Sequence, residues 1–299
     1  MNSVNIKYIL YLALALLASL GLSACFNQGD SAEYQVLRIA VQPVHEQEDF
    51  QQAYLPLLSY LEKELGVSIE WVPLSDYQEQ LDKFHEQKID LTLFGGYAFV
   101  RAYEQDQADP LVMRDVDFHF SSDFIVAAGN NAAKISELQG QSLSFGSALS
   151  TSGHLMPRFF LSTQGIMPEA FFSEVRYSGK HDLTVKWVAD GQVEVGVVDT
   201  IILEKMLREK HVSRSQIKVI WTTPSYPNYV WAARKQLPEA LKQKIIEAFI
   251  KLTPEDRQQR KLLELVGAHH YFPAKVADFQ PIRKIAKQQA GRLGENQAK

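Results

Sequence analysis

Three stretches decide the fold: Leu37-Arg38-Ile39-Ala40-Val41, Val67-Ser68-Ile69-Glu70-Trp71-Val72 and Ile89-Asp90-Leu91-Thr92-Leu93-Phe94. The first is a short apolar run, as for a buried strand, and the other two read as further strands. Between the first two, Phe50 to Leu65 carries Leu55, Leu58, Leu61 and Leu65 at spacings of three and four, which predicts an amphipathic helix that Gly66 stops. Between the second and third, Tyr77 to Gln87 is predicted helical. A β-α-β-α-β order implies a parallel sheet with helices on its faces.

The theme repeats downstream. Strands are predicted at Phe124 to Ala128, Ser142 to Gly146, Val193 to Val198 and Ile217 to Trp221. Helices are predicted at Lys134 to Leu138, after Gly153 to about Thr163, at Leu183 to Asp190 and at Thr200 to Lys210. The tail is predicted helical from Pro238 to Leu265 and from about Pro281 to Gln289. A chain of 299 residues is long enough for two domains. The expected architecture is two α/β lobes with a ligand cleft between them. Lobe 1 is expected to combine residues 36–117 with 229–299, and lobe 2 to span 118–228. Crossings are expected near Val116 to Phe124 and near Trp221 to Asn228. In open α/β sheets a ligand sits outside the carboxyl ends of the strands, which directs attention to Phe94 to Tyr97, Ser150 to Gly153, and Asp199-Thr200.

The N-terminus reads as an export signal. One cation, Lys7, leads into an apolar run from Tyr8 to Leu22, followed by Leu22-Ser23-Ala24-Cys25, which resembles a lipobox. A permanent transmembrane helix is the alternative, since the run is near the lower length limit for a span. The lipobox reading makes 1–24 a lipoprotein signal peptide, Cys25 the lipidation site and 25–35 a tether. It locates the protein outside the cytoplasm, held by acyl chains to the periplasmic face of a membrane or the cell surface. Cys25 is the only cysteine, so no intrachain disulfide can form. Removing residues 1–24 takes away one lysine and no acid, moving the formal charge from −4 to −5. With no basic stripe, a nucleic-acid partner is not expected. An anion would have to be held by local dipoles and a few donors.

Ser150-Thr151-Ser152-Gly153-His154 is the most informative segment. Hydroxyls and free N–H groups at a helix start make a donor-rich pocket, reinforced by the helix dipole. Gly153 would let a ligand approach the backbone. A plain helix cap explains the same residues. This run, with Pro157 in the helix after it, resembles the ligand loop of phosphonate- and phosphite-binding proteins of ABC importers. Further likenesses follow in order: Tyr60 to Gly66, Asp76-Tyr77, Phe94-Gly95-Gly96-Tyr97, Gly179-Lys180-His181-Asp182, and Ile220-Trp221 through Pro224 and Pro227. They span about Leu37 to Arg283.

The resemblance implies a type II periplasmic-binding-protein-like fold and a monomeric solute-binding protein that hands a small oxyanion to an ABC permease. The oxyanion would be phosphonate, phosphite or phosphate, with no cofactor. By position it implies ligand contacts at Tyr77, Ser150, Thr151, Ser152, His181 and Asp199. Phe94 or Tyr97 would line the cleft, and of the two only Tyr97 carries a hydroxyl. Lys180 departs from the family pattern and bears on the choice of ligand. Asp199 is also placed to cap the helix from Thr200. If it faces the ligand, it would accept a hydrogen bond from a protonated oxygen.

Two other classes use the same residues, an enzyme and a sensor, and the sequence does not separate import from sensing. A Ser152/His181/Asp199 hydrolase would use the same residues, but no Gly-x-Ser-x-Gly elbow, P-loop or His-Glu-x-x-His occurs, so no enzyme is expected. A sensor subunit reporting to a membrane kinase or cyclase would use the same fold and cleft. The adjacent His269-His270 do not share a helix face, so no metal is expected.

Overall fold

The alternating apolar stretches become two separate sheets. The computed structural model describes residues 34–45 and 47–297; the export segment and Cys25 lie outside the described residues. The first stretch is β1 (Val36–Val41), followed by α1 (Gln47–Leu65), β2 (Ser68–Trp71), α2 (Tyr77–His85) and β3 (Leu91–Phe94). β1 pairs in parallel with both β2 and β3. In α1 the buried face is Tyr54, Leu57, Leu58, Leu61 and Leu65, whereas Leu55 is 48% exposed. The predicted face is therefore rotated, with Tyr54 and Leu57 taking the inward positions that Leu55 was expected to share. Gly66 ends the helix with φ +68, the left-handed conformation that glycine adopts without penalty.

Helix α3 (Gly96–Asp106) and strand β4 (Asp109–Arg114) follow. The sheet is finished from the far end of the chain, by β10 (Val230–Ala233) and β11 (Tyr271–Pro273). β10 is antiparallel to both β3 and β4, and the order is β11-β4-β10-β3-β1-β2. Asp90, fully buried, fastens this return. It accepts Nε of Arg38 at 2.9 Å and Nη2 of Arg38 at 2.7 Å, and Nε of Arg234, just beyond β10, at 2.6 Å.

The second sheet contains β5 (Ser122–Ala127), β6 (Ser142–Phe145), β7 (Glu174–Tyr177), β8 (Val195–Asp199) and β9 (Ile217–Thr222), in the order β7-β6-β8-β5-β9. Its core includes Phe124, Leu138, Leu143, Phe145, Leu161, Val195 and Val197, all at zero exposure. Burying each such side chain contributes roughly 1.5–3 kcal/mol. Helices α4 (Met156–Thr163), α5 (Pro168–Phe171), α6 (His181–Ala189) and α7 (Thr200–Arg208) flank it.

The chain passes between the sheets twice, at 115–121 and 223–229. Phe120 and Tyr226 exchange N–H···O bonds of 2.9 Å, so the two passages run side by side. Arg114 donates from Nε and Nη2 to the two oxygens of Asp117, at 2.7 and 2.8 Å, and from Nη1 to the Val266 carbonyl at 2.6 Å. The Asp117 carbonyl accepts the N–H of Asn228 in the other passage at 2.9 Å.

The tail differs from expectation. The predicted helix 238–265 is two helices, α8 (Glu239–Ile250) and α9 (Arg257–Leu265). Pro254 lies in the break, and the Asp256 side chain accepts the N–H groups of Gln258 and Gln259, starting a new helix. The last helix, α10 (Gln280–Gln297), runs beyond its predicted end. Among the described residues no helix is long and apolar enough to cross a membrane.

Candidate functional site

Strand β6 ends at Phe145 and the chain turns into a helix at Thr151. The first turn, Thr151–Leu155, is a π-turn that leads into α4. Leu155 N–H bonds the Ser150 carbonyl at 3.0 Å, five residues back instead of four, which widens the turn. The Ser150 Oγ caps it by accepting Gly153 N–H at 2.8 Å. A helix start leaves N–H groups without intrahelical partners and carries the positive end of the dipole. Ser150, Thr151 and Ser152 are all buried there.

His181 opens α6 and is 1% exposed. Its N–H donates to the Val44 carbonyl just beyond β1 at 3.0 Å, a bond from one lobe to the other. Its ring Nδ1 accepts the Asp199 N–H at 3.2 Å, so the ring proton sits on Nε2. Nε2 is 3.5 Å from the Ser150 Oγ. Burial, helped by the charge of His45, pushes the imidazole down to about 3, keeping it neutral with one N–H to donate. The approach of this ring explains Gly153. A Cβ there would lie 2.9 Å from His181 Cε1 and 3.0 Å from the Ser150 Oγ. The space expected for a ligand at Gly153 is filled by the His181 ring.

Tyr77 begins α2, whose cap Asp76 accepts the Glu79 N–H at 2.8 Å. It is buried beside Ser150. Burial raises its phenol well above the ordinary range while the Ser150 hydroxyl pulls the other way, so it remains protonated. Thr151 reaches across to the other lobe, its Oγ1 accepting the Tyr97 N–H at 2.8 Å. The Ser152 carbonyl accepts the Ser122 hydroxyl at 2.7 Å, and Ser122 also bonds the Tyr226 hydroxyl.

Three expected residues, Phe94, Tyr97 and Lys180, stand differently, and Asp199 takes the capping role that its position implied. Phe94 packs in the core, edge-on to Phe84 with ring centres 5.2 Å apart. Tyr97 contributes its backbone N–H. Lys180 is half-buried and gives its carbonyl to the hydroxyls of Ser178 and Thr184; among the described residues no hydrogen bond of its ammonium is found. Asp199 caps α7, its Oδ1 accepting Ile201 and Ile202 N–H groups at 2.8 and 3.1 Å. Its Oδ2 accepts the Tyr229 hydroxyl at 3.0 Å, and burial pushes it up to about 6. His154, next in sequence to the run, belongs to a supporting cluster. Its Nδ1–H donates to the Ala148 carbonyl and its Nε2 accepts Arg158 Nε at 3.0 Å, while Arg158 grips both oxygens of Glu169.

Sequence reading missed Gln42 and Asn228. Gln42 Oε1 accepts the Gly95 N–H at 2.9 Å and Asn228 Oδ1 the Gly96 N–H at 3.3 Å. The position of Gln42, at the carboxyl end of β1, was the available signal. A cavity of about 610 Å³ lies next to this region, lined by Gln42, Tyr54, Arg114, Asp199 and Tyr229 among others. Tyr77, His181 and the Ser150 run are not in its walls. They are buried behind the cavity wall, to which His181 is bonded through Val44 and Asp199.

Two α/β lobes joined by two crossings, with converging donors at strand ends between them, define a solute-binding protein of the type II periplasmic-binding class. The chain belongs to the family of periplasmic substrate-binding proteins of phosphonate ABC transporters, whose profile matches residues 39–279. It is similar to the probable ABC transporter phosphite binding protein PhnD1 of Prochlorococcus marinus, 26% identical over 95% of this chain and 97% of the relative. It is 25% identical to the phosphonates-binding periplasmic protein of Escherichia coli, over 92% of this chain and 83% of that protein. The Prochlorococcus PhnD1 structure with methylphosphonate superimposes with a TM-score of 0.81 at 25% identity, covering 86% of this chain and 98% of that one. A phosphonate-transporter binding component from Pseudomonas aeruginosa gives 0.78 at 19% identity, over 85% of this chain and 86% of that one, and so shares the fold. The family is one of transporter components, not enzymes.

Proposed function

We propose that this chain captures a small tetrahedral oxyanion, a phosphonate, phosphite or phosphate, between its lobes and delivers it to an ABC permease without chemical change. One observation carries the reading: the buried cluster joining the helix start at Ser150-Thr151-Ser152 to neutral His181 and protonated Tyr77. The cluster supplies hydroxyl and N–H donors, which match the oxygens of an anion. Nothing in it needs to act as a nucleophile. The names of the relatives support the same ligand class. Lobe 1 would comprise 36–117 and 229–299 and lobe 2 residues 118–228, closing on the ligand as a monomer. Asp199 would face the ligand through its remaining lone pairs, and Lys180 and Tyr97 would lie at the rim.

Cys25 would carry the lipid anchor after cleavage of residues 1–24. In that case Cys25→Ser leaves the precursor uncleaved and unacylated; a normally acylated variant would refute the anchor. The ligand is tested by calorimetric titration with phosphite, methylphosphonate, aminoethylphosphonate, phosphate and sulfate. A ligand at about a hundred times its Kd should also stabilise the protein by roughly 2.7 kcal/mol. Binding of none of the phosphorus oxyanions would overturn the reading.

A further inference from the structure

We propose that the side-chain NH₂ groups of Gln42 and Asn228 donate to oxygens of the bound anion, and that these two carboxamides are specificity-determining residues of the site. This rests on the oxyanion reading above. Gln42 is 2% exposed and Asn228 1%. Each has its carbonyl oxygen committed, Gln42 to the Gly95 N–H and Asn228 to the Gly96 N–H. That fixes which end of each amide is oxygen, because the reverse orientation would press NH₂ against an N–H donor. The nitrogens left over, Gln42 Nε2 and Asn228 Nδ2, are buried and have no hydrogen-bond partner among the described residues.

Their location is beside the Ser150 cluster. A Cβ on Gly95 would lie 2.6 Å from Gln42 Oε1, 3.4 Å from Thr151 Oγ1 and 3.6 Å from Asn228 Oδ1. Three chain segments therefore meet on one glycine: the end of β1, the 151–163 helix start and the second crossing. Their three acceptors take the N–H groups of Gly95, Gly96 and Tyr97, so the amino end of α3 is filled by protein groups. The positive end of that helix is passed on through the two carboxamides, whose NH₂ groups are polarised by the N–H bonds at their oxygens. A buried donor without a partner is unfavourable, and an anion oxygen placed between the lobes would satisfy it. Because both groups are donors only at that end, they accept an oxygen and discriminate against a P–H or P–C substituent pointed at them.

The test is calorimetric titration of methylphosphonate, phosphite and phosphate into the wild type and four variants. Gln42→Glu and Asn228→Asp keep shape and the acceptor for the glycine N–H but remove the donors. Gln42→Met and Asn228→Leu remove them without adding charge. Each variant should bind at least one of the three anions about tenfold to a hundredfold more weakly, with the Glu and Asp forms weakest. Circular dichroism shows whether each variant keeps its fold, and a ligand-bound wild-type crystal structure should place Nε2 and Nδ2 within about 3.2 Å of anion oxygens. A wild type that binds while the folded Met and Leu variants match its affinities overturns this inference and leaves the oxyanion reading standing. So does a bound structure with both nitrogens out of reach of the ligand. A wild type that binds none of the three anions overturns the oxyanion reading itself.

Discussion

The Asp199 backbone N–H donates to Nδ1 of His181 at 3.2 Å, and this one bond decides which face of the imidazole can donate. With Nδ1 occupied as acceptor, Nε2 carries the proton and points toward Ser150. Glutamine places its amide near the Nε2 position, whereas asparagine reaches only the Nδ1 position. His181→Asn should therefore weaken anion binding roughly tenfold to a hundredfold, by loss of one hydrogen bond to a charged group. His181→Gln should lose less. Calorimetric titration of both variants checks the order, and equal affinities would remove Nε2 from the site.

Thr151 joins the lobes through its bond from the Tyr97 N–H. Thr151→Val removes the hydroxyl while keeping the branched shape, and is expected to lower affinity by one to two orders of magnitude. Thr151→Ser should restore most of it. Since the donor set is neutral, wild-type affinity should change little between low and high salt. A steep salt dependence would instead assign the dominant contact to a cation, with the half-buried Lys180 the candidate.

His181 and His154 should make the fold less stable in acid, and Asp199 opposes them. His181 and His154 are held down to about 3 and about 4 from an ordinary 6.5, mainly by burial. Below 6.5 the unfolded chain takes up these protons before the native one does, so each histidine's stability contribution is lost as pH falls. Asp199, raised to about 6 from 3.8, acts the other way, since the native state binds its proton first between those values. These three groups alone give a net loss of about 2 kcal/mol between pH 7 and pH 5, which the buried carboxyls of Asp117 and Asp123, also raised by burial, reduce. Urea unfolding at the two pH values measures it. His181→Gln should remove most of the difference, and an unchanged pH dependence would contradict the assignment.

The first crossing between the sheets begins at the Arg114–Asp117 pair, in which both groups are buried and Arg114 also lies 5.4 Å from the centre of the Tyr229 ring. Asp117→Ala leaves a buried cation unpaired and should cost about 3–5 kcal/mol in denaturant unfolding. The double variant Arg114→Met, Asp117→Leu should cost less than Asp117→Ala alone, because no charge is stranded. A greater cost for the double variant would mean that the bond from Arg114 to the Val266 carbonyl carries the stability.

Gly153→Ala should weaken binding through His181. The added methyl would sit 2.9 Å from the ring and 3.0 Å from the cap hydroxyl, forcing one of them to move at about 1–3 kcal/mol. Unchanged affinity and unchanged melting temperature in this variant would show that the ring has room to retreat.

Much of the fold was legible because its signal is local. The period of three and four in 55–65, the short apolar runs at 37–41 and 89–94, and the Gly66 stop are each contained in a few residues, though the period put the buried face one position off at Leu55. The run Ser150-Thr151-Ser152 was visible for the same reason: a strand end, hydroxyls and a helix start are neighbours along the chain. Strands β10 and β11 were not legible. Val230–Ala233 is too short to show a period, and its role depends on pairing with β3 and β4 more than a hundred residues earlier. Phe94 was misplaced because its sequence neighbours Gly95 and Gly96 turn at the site while its own side chain faces Phe84.

The sequence by itself determined the two α/β series, the donor-rich helix start and the absence of any second cysteine, since residue type and spacing along the chain specify these. Only the tertiary structure decided that His181 presents Nε2, that Gly153 makes room for a ring, and that Gln42 and Asn228 meet at Gly95 with unpartnered NH₂ groups. Each of those depends on where a distant segment arrives. The tautomer of an imidazole and the orientation of a carboxamide are set by whichever donor or acceptor lies opposite, and no local pattern names a partner 53 or 132 residues away.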